Sequence, residues 1–213
     1  MSKIKNIIFD LGGVILNLDY SKTVNEFKKL GVLNFEDLYS QKKQSIVFDD
    51  FEKGKIQPGE FISSINDSEN LKIKEIDFIN AWNAMLLEIS FEKLEFIAGL
   101  KNDHKVFLLS NTNEIHINKF EDDLKKEKML HKFNNCFDKI YYSSRMGKRK
   151  PDENCFSQVL QENKLIPYQT LFIDDSIQHI NGAKQLGIQT FHLEKNKSII
   201  DLLPDIIQSK HLQ

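Results

Sequence analysis

The amino-acid sequence predicts an α/β protein with a doubly wound (Rossmann-like) parallel sheet core and a small inserted α-helical cap domain. Several short apolar runs are unbroken rather than alternating, which is typical of strands buried on both faces of a parallel sheet. Segments of helical period separate the later runs, as a doubly wound sheet requires. Between the first and second runs lies a long region that has amphipathic segments but no comparable strand.

Five apolar runs are expected to form the strands of the core, at residues 6–11, 105–110, 139–143, 170–174 and 190–193. Helical periodicity between the later strands covers residues 113–128, 152–164 and 176–186. Gly187 stands directly after the last of these segments. We expect it to be the C-cap of that helix, since glycine adopts the left-handed conformation at little cost.

The cap is expected over residues 17–88, and the core over residues 1–16 and 89–213. Four amphipathic segments in the cap region predict helices at residues 23–30, 35–44, 58–66 and 74–87. Pro58 is suited to the first turn of the third segment, because its fixed φ and missing N–H are tolerated there. Hinges between the two units are expected near residues 17–19 and 88–91.

Composition and charge exclude several classes of partner. The chain has 213 residues with 29 Lys plus Arg and 31 Asp plus Glu, so no basic field favours nucleic acid or an anionic membrane. The sequence shows no signal-peptide pattern and no apolar run long enough for a transmembrane helix. Cys136 and Cys155 lack the spacing of a zinc or disulfide motif. We therefore expect a soluble cytoplasmic protein, a monomer or weak dimer, with reduced cysteines.

Polar side chains stand at the ends of the predicted strands, where an open parallel sheet binds its ligands. They are Asp10 after the first strand, Ser110 and Asn111 after the second, and Asp174 and Asp175 after the fourth. The loop "RMGKRKP" after the third strand holds Lys150, and Pro151 restricts the backbone of this lysine to an extended conformation. Because the carboxyl ends of parallel strands share one edge, these side chains are expected to converge.

The acidic members of this set match the needs of phosphoryl transfer. A carboxylate such as Asp10 can attack phosphorus and form an aspartyl-phosphate, which divides one slow displacement into two. Asp174 and Asp175 can hold Mg²⁺ beside the phosphate, since this hard cation takes oxygen ligands. Two adjacent carboxylates repel each other unless a cation lies between them, so the "IDDS" stretch also favours a metal site.

The remaining members can bind the phosphate itself. Ser110 and Lys150 can contact the non-bridging oxygens as a hydroxyl donor and a point charge. The backbone amides of Leu11, Gly12 and Asn111 can complete the anion cradle, because glycine lets the backbone approach closely. We therefore predict Asp10, Ser110 and Lys150 as catalytic residues.

Four motifs in order resemble the haloacid dehalogenase superfamily, specifically its phosphatase-like members with a helical cap after the first strand. The motifs are "FDLGGV", "LLSNTN", "GKRKP" and "FIDDSIQHINGAKQLG". Within the superfamily the sequence is most similar to the bacterial alpha-glucose-1-phosphate phosphatase group, which shares the D-L-G and S-N-T-N patterns. The resemblance implies that Asp10 is the nucleophile and a metal ligand, with Asp175, its neighbour Asp174 and the Gly12 carbonyl also at the metal.

Gly12 departs from the pattern of most phosphatases in the superfamily, which carry an aspartate there to protonate the leaving oxygen. Such an acid–base typically contributes about 10²–10⁴-fold. Its loss favours a substrate with an activated leaving group, such as a hexose 1-phosphate, or a substitute acid. Asp19 is one candidate substitute, the alternative being the N-cap of a helix.

The predicted function is thus a Mg²⁺-dependent phosphatase for a small phosphorylated metabolite, such as a sugar phosphate. Two alternatives stay open because of Gly12: a metal-independent 2-haloacid dehalogenase and a non-catalytic phosphate-binding protein. Outside the motif positions, we interpret His179 as a side chain on the exposed start of its helix rather than a partner of the metal-bound carboxylate. Phe48, Asp49 and Glu52 are expected to face the site from the cap.

Overall fold

The computed structural model of the protein describes residues 3–39 and 46–208. In this described part the strands are β1 (Asn6–Phe9), β2 (Leu16–Leu18), β3 (Leu86–Ile89), β4 (Lys105–Ser110), β5 (Lys139–Tyr142), β6 (Thr170–Asp174) and β7 (Gln189–His192). The helices are α1 (Tyr20–Lys29), α2 (Phe35–Leu38), α3 (Ile46–Glu52), α4 (Pro58–Ser68), α5 (Glu75–Asn83), α6 (Phe91–Leu100), α7 (Glu114–Lys126), α8 (Leu130–Asn135), α9 (Ser143–Met146), α10 (Glu153–Asn163), α11 (Ile177–Gln185) and α12 (Ile199–Gln208). No helix among these described residues has the length and apolar character that a bilayer crossing requires.

The main sheet is parallel and has β1 at its centre. Its five strands follow the order β5-β4-β1-β6-β7. Phe9, the last residue of β1, is in register with Leu108 of β4 and with Ile173 of β6. The next residue along each chain segment is an aspartate: Asp10 directly after β1 and Asp174 at the end of β6. The two therefore occupy corresponding positions at one edge of the sheet.

Burial on both faces explains why the strands of this sheet have no alternating pattern. In β1, Phe9 packs into the cluster that includes side chains of α6, α7, α8 and α12, whereas Ile8 packs into the cluster formed with α10 and α11. Both side chains are fully buried. An apolar side chain is stabilising on either face, by about 1.5–3 kcal/mol when fully buried. This confirms the predicted α/β architecture.

The predicted elements of the core agree with the structure to within two residues at their ends. Gly187 follows α11 with a φ of +75°, as expected for a C-cap glycine. The side chain of Asn113 caps α7 by accepting a hydrogen bond from the His116 N–H. Four core helices were not predicted from the sequence: α6, α8, α9 and α12.

The inserted helices α1 to α5 surround an aromatic cluster of their own. Buried members of this cluster include Phe27, Phe35, Phe61, Phe78 and Trp82. Pro58 is the first residue of α4, as predicted. The predicted helix over residues 74–87 was too long, since α5 ends at Asn83. The predicted segment 35–44 overlaps α2, and its residues 40–44 lie outside the described part.

A two-stranded antiparallel ribbon joins the inserted helices to the core. Leu16 of β2 pairs with Ile89 of β3, and Leu18 pairs with Leu86. Hinges were predicted here from the sequence, and neither strand was predicted. Each strand is only three or four residues long, and its hydrogen-bonding partner lies about 70 residues away, as the pairing itself shows. Local sequence patterns therefore do not identify the ribbon.

Candidate active site

Lys150 links the ends of the two central strands. Its Nζ donates hydrogen bonds to Asp10 Oδ1 and to Asp174 Oδ2, each at 2.7 Å. The Lys150 and Asp174 side chains are completely buried, and that of Asp10 is 9% exposed. The predicted convergence of these three residues is therefore seen in the structure.

Asn111 fixes the backbone of Lys150. Its Nδ2 donates to the Lys150 carbonyl at 2.8 Å, and its Oδ1 accepts from the Lys150 N–H at 2.9 Å. Asn111 follows β4, so this pair of bonds ties the lysine loop to the strand that neighbours β1. From the sequence, the Asn111 side chain was expected to lie at this edge, but only its backbone amide was given a role, in binding phosphate. The structure shows that its side chain positions the lysine.

Charge is unevenly distributed among the buried groups. Burial and the neighbouring carboxylates of Asp174 and Asp175 raise the pKa of Asp10 to about 8, against the opposing effect of Lys150. For Asp174, burial acts in the same upward direction, but Lys150 and His179 outweigh it and hold its pKa below the usual value. One ammonium group thus faces more carboxylates than it can neutralise.

The three carboxylates are arranged so that a cation could supply the missing charge. One ligand oxygen each from Asp10, Asp174 and Asp175 lies within 4.8 Å of the other two. Such a set of close, mostly buried oxygen donors suits a hard divalent cation. The residues therefore fit the predicted metal site.

Gly13 makes room for Asp175. Its φ is +73°, and a Cβ at this position would overlap the Asp175 carboxylate. The chain turns sharply here, with the Leu11 carbonyl accepting hydrogen bonds from the N–H groups of Ile15 and Leu16, each at 2.8 Å. The second glycine of "FDLGGV" is thus required by the approach of the second acid of "FIDDS".

Gly12 is also closely packed. A Cβ at Gly12 would lie 2.7 Å from Leu18 Cδ1. Leu18, at the end of β2, therefore fills the space into which a side chain at position 12 would project. The candidate substitute acid, Asp19, is the N-cap of α1 and accepts hydrogen bonds from the N–H and Oγ of Ser21. The structure thus favours the helix-cap interpretation of Asp19.

His179 belongs to the site, contrary to the interpretation as an exposed side chain. Its Nδ1 lies 3.0 Å from both carboxylate oxygens of Asp174, and its side chain is only 13% exposed. A carboxylate can only accept, so Nδ1 carries the proton in this contact. His179 lies in the first turn of the helix that follows the "DDS" stretch, but its contact with Asp174, five residues earlier, depends on how the chain enters that helix.

Ser110 is buried at the end of β4 and lines a small cavity of about 50 Å³ together with Leu11, Gly12 and Asn111. The neighbouring Thr112 donates its N–H to Ser143 Oγ at 2.9 Å, which links the end of β4 to the end of β5. Four of the five predicted phosphate-binding residues thus line this cavity, whereas Lys150 lies behind it in contact with Asp10.

The inserted helices close this region from the opposite side. A cavity of about 70 Å³ lies between the two units. Its walls include Asp10, Asp175 and His179 from the core and Tyr20, Tyr39 and Glu52 from the inserted unit. Glu52 was expected here from the sequence, whereas neither tyrosine was, because their positions depend on how the inserted helices dock.

Arg149 connects the two sides. Its guanidinium contacts Asp49 Oδ1 at 3.0 Å and Glu52 Oε2 at 3.2 Å, both from α3. Nearby, a Cβ at Gly54 would overlap the carbonyl oxygen of Ser144 in α9. The inserted unit therefore packs directly against the loop that carries Lys150. Phe48, also expected to face the site, instead packs inside the aromatic cluster.

Comparison with known proteins identifies the family. A model of the haloacid dehalogenase-like hydrolases matches residues 4–187. A D-ribitol-5-phosphate phosphatase of Bacteroides thetaiotaomicron is 33% identical over 196 residues, which cover 90% of this chain and 92% of that protein. A sesquiterpene phosphatase of Aspergillus oryzae is 25% identical over 191 residues, covering 89% of each chain.

Solved structures agree with this result. An aspartate-to-alanine variant of a haloacid dehalogenase family enzyme from B. thetaiotaomicron, in complex with magnesium and inorganic phosphate, superposes with a TM-score of 0.85 at 32% identity, covering 94% of this chain and 98% of that one. A HAD-like family hydrolase of Porphyromonas gingivalis gives a TM-score of 0.86 at 30% identity over 98% of this chain and all of the other. The family predicted from the four motifs is confirmed, and the chain belongs to the haloacid dehalogenase-like hydrolases.

Proposed function

We propose that this hydrolase is a Mg²⁺-dependent phosphatase that acts on the phosphate monoester of a small polyhydroxylated metabolite, with sugar-alcohol phosphates as the first candidates. The observation that carries the proposal is the convergence of Asp10, Asp174 and Asp175 around a common point, with the Lys150 ammonium between two of them. The related D-ribitol-5-phosphate phosphatase supports the choice of substrate class.

Asp10 is the attacking group in this proposal. One of its oxygens accepts a hydrogen bond from Lys150, and the side chain lines the cavity into which a substrate would enter. Its carboxylate forms a bond to phosphorus as the bond from phosphorus to the ester oxygen breaks, and water later hydrolyses the aspartyl-phosphate. Bound Mg²⁺ would lower the pKa of Asp10 and neutralise charge on the transferring phosphoryl group.

The remaining core residues bind and orient the phosphoryl group. The Lys150 ammonium offers positive charge, and the Ser110 hydroxyl and the amides of Leu11, Gly12 and Asn111 offer donors to its oxygens. Asn111 holds the lysine backbone in place, and His179 orients Asp174. Asp174, Asp175, Asp10 and the Gly12 carbonyl are the proposed metal ligands.

The leaving group distinguishes two candidate substrates. A hexose 1-phosphate, suggested by the resemblance to alpha-glucose-1-phosphate phosphatases, has a comparatively weakly basic leaving oxygen and has less need of an acid at position 12. In a sugar-alcohol 5-phosphate the leaving group is a more basic primary alkoxide, so its departure depends on a proton from another donor. The 33% identity to a ribitol-phosphate phosphatase leads us to rank the sugar-alcohol phosphate first.

A phosphate-release screen with purified protein tests the proposal. The panel contains ribitol 5-phosphate, hexose 1- and 6-phosphates, nucleotides and acetyl phosphate, each with Mg²⁺ and with EDTA. We expect Mg²⁺-dependent release that is fastest for a sugar-alcohol or sugar phosphate. Release that persists in EDTA would contradict the role of the metal, and nucleotides as the best substrates would contradict the substrate class.

Two control measurements address the alternatives. Halide release from 2-haloacids would favour a dehalogenase, although the structural likeness to an L-2-haloacid dehalogenase, at 16% identity and a TM-score of 0.61, concerns the fold alone. Phosphate binding without turnover of any ester would favour a non-catalytic protein. The cluster of carboxylates argues against the dehalogenase, because attack on carbon needs no divalent cation.

A further inference from the structure

Glu52 is a buried carboxylate on the side of the cavity opposite the attacking Asp10. It is the last residue of α3, and only 5% of its surface is exposed. It lines the same 70 Å³ cavity as Asp10, Gly12 and Asp175. A group bonded through oxygen to a phosphorus atom at Asp10 would extend into this cavity, so Glu52 is in position to meet the leaving group rather than the phosphate.

Arg149 forms an ion pair with Glu52. The guanidinium lies 3.2 Å from Glu52 Oε2, and its own side chain is 15% exposed. A fixed positive charge at this distance favours the carboxylate form over the neutral acid. A carboxylate held in this state is a poor proton donor but a strong hydrogen-bond acceptor.

We propose that Glu52 is a specificity-determining residue that accepts hydrogen bonds from hydroxyl groups of the leaving group and disfavours leaving groups that carry a negative charge. The inference rests on the proposed phosphatase function and specifies its substrate class. Hydroxyl groups of a substrate can donate hydrogen bonds to the Glu52 carboxylate, whereas a carboxylate in the substrate would be repelled by Glu52.

The charges of the described residues around the cavity agree with this selectivity. Lys150 is engaged by Asp10 and Asp174, and Arg149 by Asp49 and Glu52. Both described cations near the phosphoryl and leaving-group positions thus already face carboxylates. A neutral polyol adds no charge to this arrangement. A sugar acid adds a negative charge, which Lys150 and Arg149 do not balance because they already face carboxylates.

Three esters with the same number of leaving-group carbons separate hydroxyl recognition from charge: ribitol 5-phosphate, ribonate 5-phosphate and n-pentyl phosphate. The first has neutral hydroxyls, the second adds a carboxylate, and the third has neither. Steady-state kcat and KM are measured for each with the parent protein, Glu52→Gln and Glu52→Asp. The matched control is Asp49→Asn, which also contacts Arg149 but does not line the cavity and has a 33% exposed side chain.

The parent should prefer ribitol 5-phosphate to both other esters. Glu52→Gln should lower kcat/KM for ribitol 5-phosphate at least about tenfold, mainly through KM, as expected for loss of a hydrogen bond to a charged group. It should change n-pentyl phosphate less than about twofold and should raise the relative rate for ribonate 5-phosphate. Asp49→Asn should leave the ranking unchanged. Should Glu52→Gln fold poorly, Glu52→Asp keeps the charge and should retain the discrimination against ribonate 5-phosphate.

Equal losses for ribitol 5-phosphate and n-pentyl phosphate in Glu52→Gln would overturn the inference, because they would indicate a general effect on docking of the inserted helices. The same result in Asp49→Asn as in Glu52→Gln would overturn it as well, since the Arg149 contacts alone would then be responsible. Failure of the proposed function is distinguishable: the parent protein would then release phosphate from none of these esters and from none of the screening panel, whereas failure of the inference alone leaves Mg²⁺-dependent release from the panel intact.

Discussion

The two sides of the active-site cavity are built in different ways. On the core side, Asp10, Lys150 and Asp174 stand at strand ends or in the adjoining loop and are joined by contacts of 2.7 Å. On the opposite side, Glu52 lies at the end of a seven-residue helix and reaches the core through Arg149. The core side is fixed by the register of the sheet, whereas the other side depends on how one unit docks on another.

We expect the core side to carry out the reaction and the docking side to select the substrate. A parallel sheet with both faces buried holds its strand ends rigidly, which suits a nucleophile and metal ligands that must keep their geometry. Helices that dock through the Arg149 ion pairs, the close contact between Gly54 and Ser144 and the packing of Trp82 on His116 can vary without disturbing that geometry. Substitutions on the core side should therefore remove activity, whereas those on the docking side should alter substrate preference or stability.

The largest effect is expected from Asp10→Asn. The amide preserves the shape of the side chain and can still accept a hydrogen bond from Lys150, but it cannot attack phosphorus. We expect kcat to fall by roughly 10³-fold or more, with little change in thermal stability. The fall in kcat is measured by phosphate release, and the stability is measured by thermal denaturation. An active Asp10→Asn variant would show that another group attacks.

Gly13→Ala tests the packing that positions Asp175. The added Cβ would overlap the Asp175 carboxylate, so this proposed metal ligand must move. We expect Mg²⁺ affinity to fall by about 10–100-fold, the range typical for loss of support around a metal site. The Mg²⁺ affinity is obtained by measuring activity as a function of Mg²⁺ concentration.

Gly187→Ala is the control for backbone strain in this experiment. Its φ of +75° is close to the +73° of Gly13, but its Cβ would meet nothing nearer than Pro167 at 3.9 Å. Its Mg²⁺ dependence should match the parent protein. A similar loss of affinity in both variants would mean that strain, and not the displacement of Asp175, is the cause.

Gly54→Ala tests the docking side. The Cβ would overlap the Ser144 carbonyl, a backbone atom that cannot move aside easily. We expect KM for the preferred ester to rise by roughly tenfold while the Mg²⁺ dependence stays unchanged, because the inserted unit would close less completely. Gly31→Ala is the matched control, because Gly31 lies in the inserted unit with a φ of +95° and its added Cβ would meet nothing nearer than Leu71 at 3.5 Å. A loss of Mg²⁺ affinity in Gly54→Ala would contradict the proposed separation.

The smallest effect concerns His116, which joins the two sides. Its Nε2 donates to the Trp82 carbonyl at 3.2 Å, and its ring stacks on Trp82 at a centroid distance of 4.8 Å. Burial lowers the pKa of His116 from 6.5 to about 4. The unfolded chain therefore binds more protons between these values, and the free energy of unfolding should decrease as pH falls from about 6.5 to 4.

Urea denaturation at several pH values measures this contribution, which is at most about 3 kcal/mol. In His116→Gln, which keeps a donor for the Trp82 carbonyl, we expect a smaller loss of stability between pH 7 and 4 than in the parent protein. Parallel pH dependences in the two proteins would show that His116 is not the titrating group.

The core side was largely predictable from the sequence. Asp10, Ser110 and the acidic pair follow apolar runs directly, and a parallel sheet brings such ends to one edge whatever the detailed packing. Lys150 was predictable from its place before Pro151 in a basic loop. The contribution of the Asn111 side chain was not, because a hydrogen bond across 39 residues leaves no local pattern.

The docking side was mostly unpredictable for the same physical reason. Tyr20 and Tyr39 have ordinary sequence surroundings and reach the cavity only after the inserted helices dock. The role of Gly13 likewise depends on a second segment more than 160 positions away, since its constraint is the Asp175 carboxylate. Glu52 was anticipated by position, but its contact with Arg149 was not.

The sequence by itself determined the family, the parallel sheet and the residues at the strand ends, because apolar runs and short motifs record local requirements. The tertiary structure alone decided that Leu18 fills the space beside Gly12, that His179 bonds Asp174, and that Glu52 closes the cavity. The first two contacts join residues only five or six positions apart and the third joins residues of two units, but all three depend on where side chains point in the folded chain. Their energies depend on distances that only the folded chain establishes.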